Sequence, residues 1–328
     1  MWSISDLKIA SPLVIGPMAG ITNGAFREVC YGFGAGLTYT EMTSDKAIYY
    51  GNKKTLDMLE IDDRFHPVAL QLFGTDVESM VYAAKVMDHD TNCDIIDINM
   101  GCPVNKVIKT GAGSAMMKDE DRSVETIRKI VENVKKPVTV KMRLGFDKSH
   151  MNYLSLSKKL EEAGVSAIAL HARTRSQMYE GHSDWSHIAI LKKEMKIPVI
   201  GNGDVKSVED FIQMKEETNC DAVMISRGVV GNPFLIKEIN NYLSGKEDYR
   251  VSIEERFEGC LDHARKLIDL KGEKTGMREM RGLSPHYLSG LYMSSTYKNK
   301  MISMETYEDL RNILEEYHQI LIQHERDS

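Results

Sequence analysis

Eight short apolar runs, rich in β-branched residues, recur up to about residue 243, and no other feature limits the fold so tightly. They are "LVIGP" (13–17), "GLTYTE" (36–41), "PVALQLFG" (67–74), "DIIDINM" (94–100), "PVTVKMRL" (137–144), "SAIALHA" (166–172), "IPVIGNG" (197–203) and "DAVMISRG" (221–228). Near-continuous apolar runs mark strands buried on both faces, as in a parallel sheet covered by helices. Between most of them lie stretches with apolar residues at helical spacing, among them 76–89, 122–136, 151–164 and 207–218. Eight such units in about 230 residues favour a closed (β/α)8 TIM barrel over the alternative, an open doubly wound sheet.

Beyond Gly245 the strand pattern stops. Residues 251–272, 276–292 and 304–325 carry apolar residues three and four apart. The reading is a barrel over 1–243 followed by a small C-terminal helical domain over 246–328, linked through the polar "LSGKEDY" (243–249). No apolar run approaches the ~18 residues needed to cross a membrane. The five cysteines contain no CxxC spacing, so neither a disulfide framework nor a zinc site is expected, and a reducing cytoplasm is. His182 and His187 have no third ligand nearby in sequence and read as loop residues, so no metal is expected. A formal charge of −6 argues against indiscriminate binding to nucleic acid, while a local basic face stays open. One candidate is Arg265–Arg281, with six basic residues against three acidic; a solvated helix surface is the plain alternative.

A barrel of this kind builds its site at the C-terminal ends of the strands. After the first run, Pro17, Met18 and Ala19 suit a backbone passing close to a flat ligand, or simply a tight turn. Gln71 is a two-sided amide inside an apolar run, so its donor and acceptor atoms both need partners. The fourth run delivers Asn99 and, in the "GCP" that follows, Cys102. Lys141 lies on the fifth, where an inward lysine is costly unless it meets negative charge. The sixth ends with His171, Arg173 and Arg175. The last two run into "GNGDV" (201–205) and "SRGVVGNP" (226–233), the place where such barrels bind phosphate. Arg227 adds a cation there, and Gly201, Gly203 and Gly228 remove bulk. No GxGxxG is present, so a Rossmann dinucleotide site is unsupported. A phosphorylated planar redox heterocycle, FMN, fits this rim; a phosphosugar-binding barrel competes with it.

Together, "PMAGITNGAFR", "QLFG", "DINMGCPVNKVIKTGAGSAMM", "VKMRLG", "LHARTR", "GNGDV" and "SRGVVGNP" resemble the FMN-dependent tRNA-dihydrouridine synthases, in particular the bacterial B-type. The resemblance is dense over residues 10–240 and loose beyond. It implies flavin contacts at Pro17, Met18, Ala19, Gln71, Lys141, His171, Asn202, Gly203, Asp204, Ser226 and Arg227. It also implies Cys102 as general acid, Asn99 as a uracil contact, NADPH or NADH as reductant, and RNA, foremost tRNA, as partner. Two departures stand out. Ser226 replaces the family's usual glycine, and "MRGLSPHYLSG" keeps only Met280, Arg281 and Tyr287 of the family's Met-Arg-Lys-His stretch and the aromatic pair that follows it.

Reducing a uracil C5–C6 double bond needs a hydride at C6 and a proton at C5. A cysteine with a pKa near 8.5 is protonated at neutral pH yet able to release its proton. The base must leave its stack to reach a barrel rim, where Arg173 and Arg175 are expected to meet substrate. Lys106, Lys109 and Lys118 are expected to meet RNA phosphates, or to be solvated loop charges. Two other functions compete: a non-catalytic RNA-binding barrel, and an FMN-dependent reductase of free pyrimidines.

Overall fold

The computed structural model describes residues 1–246 and 249–327, so Glu247 and Asp248 of the expected linker lie outside the described residues. Eight parallel strands close into a barrel: β1 (Leu13–Ile15), β2 (Leu37–Tyr39), β3 (Val68–Phe73), β4 (Ile95–Met100), β5 (Val138–Arg143), β6 (Ala167–His171), β7 (Val199–Asn202) and β8 (Ala222–Ile225). Neighbours in sequence pair throughout, β8 pairs with β1, and β2 pairs with β3, which completes the ring. Each of the eight expected runs is a strand, one to four residues shorter than its apolar stretch. The closed ring decides for the barrel over the open sheet. A two-residue strand, Thr43–Ser44, adds to β3 at its C-terminal end.

The helical stretches start where local chemistry can cap them. Asp76, Asp119 and Ser207 accept from the backbone N–H three residues on, and Ser207 forms a reciprocal capping box with Asp210. Such caps satisfy donors that a helix start leaves orphaned.

The barrel interior changes character along its axis. Near the N-terminal ends, Val14, Leu37, Tyr39, Ala69, Ile95, Ala167, Ala169, Ile200, Ala222 and Met224 form one apolar cluster. An antiparallel hairpin that the run pattern had not announced, Trp2–Ile4 with Leu7–Ile9, adds Ile4 and Ile9 to that cluster. Towards the C-terminal ends, inward positions become polar: Gln71, Asp97, Asn99, Thr139, Lys141, His171 and Asn202. All but Lys141 are at most 7 % exposed.

By compactness the chain divides into two units: Met1–Asn23 with Ala35–Ser226, and Gly24–Gly34 with the chain from Arg227 on. The second unit is all-helical, with Gly24–Gly32, Phe234–Leu243, Ile253–Lys271, Glu273–Tyr287, Ser294–Ile302 and Tyr307–Asp327. Ser252 and Glu255 form a capping box at the start of its third helix. Its core is made of large apolar side chains, among them Phe257, Leu267, Met280, Leu283, Met301, Leu314 and Tyr317, each at most 6 % exposed. Among the described residues, no helix is long and apolar enough to cross a membrane. No group of three or more His, Cys, Asp or Glu side chains there could hold a metal ion.

Candidate active site

The polar layer is a set of directed hydrogen bonds. Gln71 on β3 donates through Nε2 to Asp97 Oδ2 at 2.7 Å and accepts at Oε1 from Asn99 Nδ2 at 2.8 Å. Thr139 on β5 donates to the other Asp97 oxygen at 2.7 Å. The backbone of Gln71 is held by two hydroxyls: Thr40 accepts from its N–H at 3.1 Å and Thr43 donates to its carbonyl at 3.0 Å. Both faces of the expected two-sided amide are therefore satisfied.

Lys141 reaches from β5 across β6 to donate to Asn202 Oδ1 at 3.1 Å, which only an inward side chain can do. Asn202 in turn donates to the Met224 carbonyl at 2.8 Å. Burial pulls the Lys141 ammonium down to about 8, the Arg143 charge adds to this, and Asp97 and Cys102 oppose it. Burial pushes the Asp97 carboxyl up to about 7 against the hydrogen bonds from Thr139 and Gln71 and the charge of Lys141.

Cys102 follows β4 and is 9 % exposed, packed with Val107, Ala112, Met42 and Phe73. The backbone around it is fixed by directed hydrogen bonds. The Cys102 N–H donates to Asn99 Oδ1 at 2.8 Å, the Gly101 N–H shares that acceptor at 3.1 Å, and the Cys102 carbonyl accepts from Ser114 Oγ at 2.9 Å. The segment beyond contains a helical turn, Asn105–Ile108, and a 3₁₀ turn, Gly113–Lys118. Gly113 has φ +61°, and a Cβ there would stand 2.9 Å from the Cys102 carbonyl oxygen. Lys106, Lys109 and Lys118 stay exposed. Burial raises the Cys102 thiol pKa, partly offset by the Val104 backbone and by Arg143 and Lys141, so the thiol keeps its proton at neutral pH.

Arg143, at the end of β5, is a buried residue of this layer that the sequence reading missed. It is 2 % exposed, and its guanidinium donates to the carbonyls of Gly101 at 2.9 Å, Thr174 at 2.9 Å and Met178 at 2.7 Å. It thereby ties the loop after β4 to the loop after β6. Its signal was present: Thr139, Lys141 and Arg143 alternate along one strand, the period of one face.

A comparison with family models gives a match over residues 13–323 to the family described as Dihydrouridine synthase (Dus). The chain belongs to that family. A "Probable tRNA-dihydrouridine synthase" of Rickettsia bellii is 35 % identical over 99 % of this chain and 100 % of its own length. "tRNA-dihydrouridine synthase B" of Pasteurella multocida is 35 % identical over 90 % of this chain and 89 % of its own. The protein of that name from Pseudomonas syringae is 36 % identical over 88 % and 86 %. The dihydrouridine synthases are an enzyme family, so the buried polar layer belongs to an enzyme.

Several residues expected to meet ligands in this dihydrouridine synthase family member hold other residues. Arg173 is 1 % exposed; it forms a bidentate pair with Asp204 at 2.8 and 2.6 Å and donates to the carbonyls of Glu180 at 3.1 Å and Gly181 at 2.6 Å. It also approaches His171 Nε2 at 3.4 Å. Its five donors are therefore spent inside the protein rather than at the mouth. Asp204, in the left-handed region at φ +60°, accepts from Ser183 N–H as well and anchors the turn after β7. Arg175 does lie at the loops: it donates to Asn105 Oδ1 at 2.5 Å, and its guanidinium carbon stands 5.2 Å from the centre of the Phe146 ring, which Lys118 also approaches.

Two close approaches explain the glycines. A Cβ at Gly203, with φ +128°, would stand 2.1 Å from Ser183 Oγ and 3.2 Å from His171 Cδ2. One at Gly16 would stand 2.4 Å from Ser226 Oγ, so Ser226 lies over a residue without a side chain. Pro17 and Met18 are half-buried and Ala19 exposed, in a turn held by Thr22 and by the Gly20 N–H donating to Glu41. Arg227 is exposed and opens the 3₁₀ turn Arg227–Val229 of the second unit.

In the helical unit, Met280 and Tyr287 are core residues, and Tyr287 Oη lies 3.1 Å from His263 Nδ1. Arg281 is half-buried and donates to the Met304 carbonyl at 2.7 Å. The family-like part of "MRGLSPHYLSG" thus builds the helix packing. Lys266 pairs with Glu28 and Asp262, Lys271 with Glu279, and the exposed Arg265 donates to Tyr307 Oη at 2.8 Å; Lys274 and Arg278 are the other exposed cations of that stretch.

Proposed function

We propose that this chain reduces specific uridines of an RNA, tRNA by the names of its relatives, to 5,6-dihydrouridine, with FMN as tight cofactor and NADPH or NADH as reductant. One observation carries the chemistry: a buried thiol sits at a strand end, its backbone pinned by the amide of Asn99, with the inward, half-buried Lys141 on the neighbouring strand.

The residues present fit a flavin. Lys141 is an inward ammonium whose hydrogen-bond partner is the neutral amide of Asn202, and Gly203 lets the turn after β7 pack directly against Ser183 and His171. Lys141, Gln71, His171, Asn202, Gly203 and the 17–19 turn would hold the ring and ribityl chain, and Ser226 the phosphate end. When bound and reduced, FMN supplies the hydride that goes to uracil C6. Lys141 places positive charge where the reduced ring carries negative charge. Asn99 orients the base through its amide while holding Cys102. The Cys102 thiol gives its proton to C5. The bond counts close: one C–H forms at each carbon, the C5–C6 π bond is lost, and the thiolate is reprotonated from water. Arg173, through Asp204, shapes the turn after β7 rather than touching RNA.

The barrel over 1–243 would carry this chemistry, and the helical part from 246 would hold the RNA body, with Lys274 and Arg278 as phosphate contacts. The test is conversion of an unmodified tRNA transcript by purified protein with FMN and NADPH, read as dihydrouridine by mass spectrometry. Yellow protein that forms dihydrouridine is the expected result. Colourless protein that takes up no FMN but still binds tRNA would point instead to a non-catalytic RNA-binding barrel. Turnover of free uracil without RNA would point to a pyrimidine reductase.

A further inference from the structure

Asp97 is fully buried, and the chemistry above gives it no part. Its hydrogen bonds nevertheless lead to Cys102 by a route with only one polarity. The backbone N–H groups of Gly101 and Cys102 can only donate, so Asn99 must present Oδ1 to them. Asn99 then presents Nδ2 to Gln71, whose Oε1 accepts. Gln71 in turn presents Nε2 to Asp97, whose Oδ2 accepts, while Thr139 occupies the other oxygen. Turning either amide over sets N–H against N–H or oxygen against oxygen in a buried layer, where an unmatched polar group is costly.

We propose that Asp97 is a positioning residue: as the terminal acceptor it fixes the orientation of both amides, and through Asn99 it holds the Gly101–Cys102 backbone where the thiol meets the base. This rests on reading Cys102 as the acid. What the chain needs at 97 is an acceptor facing Gln71, not a charge. A side-chain amide can supply it, with its NH2 turned towards the Thr139 hydroxyl, which can accept as well as donate. An apolar side chain of the same shape cannot. If Asp97 acted through its charge on Lys141, the amide would fail as badly as the apolar residue.

The test uses the full-length flavin-loaded protein and two readouts: hydrogen exchange at the Gly101 and Cys102 amides, and single-turnover reoxidation of reduced flavin by an unmodified tRNA transcript. Asp97→Leu is expected to speed exchange at both amides about tenfold and to slow reoxidation about 10- to 100-fold, the scale of one or two buried hydrogen bonds lost. Asp97→Asn is expected to stay within about threefold of wild type in both, the range of a hydrogen bond exchanged rather than lost. Asp97→Asn as damaging as Asp97→Leu, or unchanged exchange in Asp97→Leu, overturns the proposal.

Should Asp97→Leu not fold, a polarity swap decides. Asn99→Asp sets a carboxylate against Gln71 Oε1 and should loosen both amides. Adding Asp97→Asn lets the whole chain run in reverse, with the new amide donating to Gln71 and Gln71 donating to the new carboxylate, so exchange should return to near wild type. A double variant no tighter than Asn99→Asp overturns the proposal. These two variants are judged by exchange alone, because Asn99 is read as touching the base. Failure of the acid reading is seen separately, as Cys102→Ala reoxidised by RNA at the wild-type rate while the exchange pattern holds.

Discussion

The strand-end layer of the barrel and the core of the helical unit are buried to a similar degree but are made of different materials. The first holds two carboxylates, three amides, an ammonium and two guanidinium groups, each tied by directed bonds. The second holds Met, Leu, Phe and Tyr, and its charges lie mostly in pairs at the surface, where each contributes little. A core of leucines and methionines tolerates repacking because dispersion has no direction. A polar layer does not, because each donor must find its one acceptor. The difference teaches where to look for chemistry: in the region that is expensive to bury and unforgiving to change.

The sharpest way to break this contrast is Cys102→Ala. The variant should still bind FMN and accept electrons from NADPH at close to the wild-type rate. Its reduced flavin should be reoxidised by RNA about 10²–10⁴-fold more slowly, the range of general acid catalysis. Stopped-flow absorbance of the two half-reactions separates this from a folding role, which would damage both.

Lys141→Met should come next. Removing an inward, half-buried cation bonded to Asn202 should weaken FMN binding roughly 10- to 100-fold, as for a hydrogen bond to a charged group. Fluorescence titration of the apoprotein measures it. Unchanged affinity would place the Lys141 charge outside the flavin's reach.

Acid and base should also act on the two regions in opposite senses. Asp97 rises from 3.8 to about 7 through burial, so its contribution to stability is complete below pH 3.8 and is lost as pH rises through about 7. His263, buried beside Tyr287, falls from 6.5 to about 4, so its contribution is present above pH 6.5 and is lost as pH falls through about 4. Exchange of the apoprotein should therefore loosen the β3–β5 peptides towards neutral pH and the helical peptides towards acid. Asp97→Asn should remove the first trend and His263→Gln the second. A common trend in both regions would show that these two groups do not govern it.

The smallest effect is expected from Lys274→Ala with Arg278→Ala. RNA affinity should fall about two- to tenfold, and the salt slope should flatten by about one to two, as expected for one or two lost phosphate contacts. FMN binding should be untouched. Unchanged affinity across a salt series would leave those cations as a solvated face.

All eight strands were legible because strands buried on both faces need apolar residues throughout, and little else produces such runs at this spacing. The inward polar residues were legible one at a time: Gln71, Asn99, Lys141 and His171 each stood out within an apolar run. Their partners were not. Asp97 was hidden by the isoleucines around it, and Arg143 by its place next to a loop, because hydrogen bonds between strands are set by register, which composition does not encode. Arg173 shows the converse. A cation at a strand end looks the same in sequence whether it faces solvent or Asp204. The hairpin at 2–9 escaped because two three-residue strands are too short to show a period.

That hairpin bears on how the barrel is assembled. Ile4 and Ile9 share one apolar cluster with Ala222 and Met224 of β8. The plug at the barrel's base cannot find its full set of neighbours until a strand about 200 residues later has been made and has closed the ring. Its contacts are among the most distant in sequence that the barrel contains, and contacts of long range form late and slowly. A chain interrupted before β8 would leave Trp2, Ile4, Leu7 and Ile9 with half a socket, exposing an apolar surface that a nascent barrel must keep from its neighbours until synthesis passes residue 225.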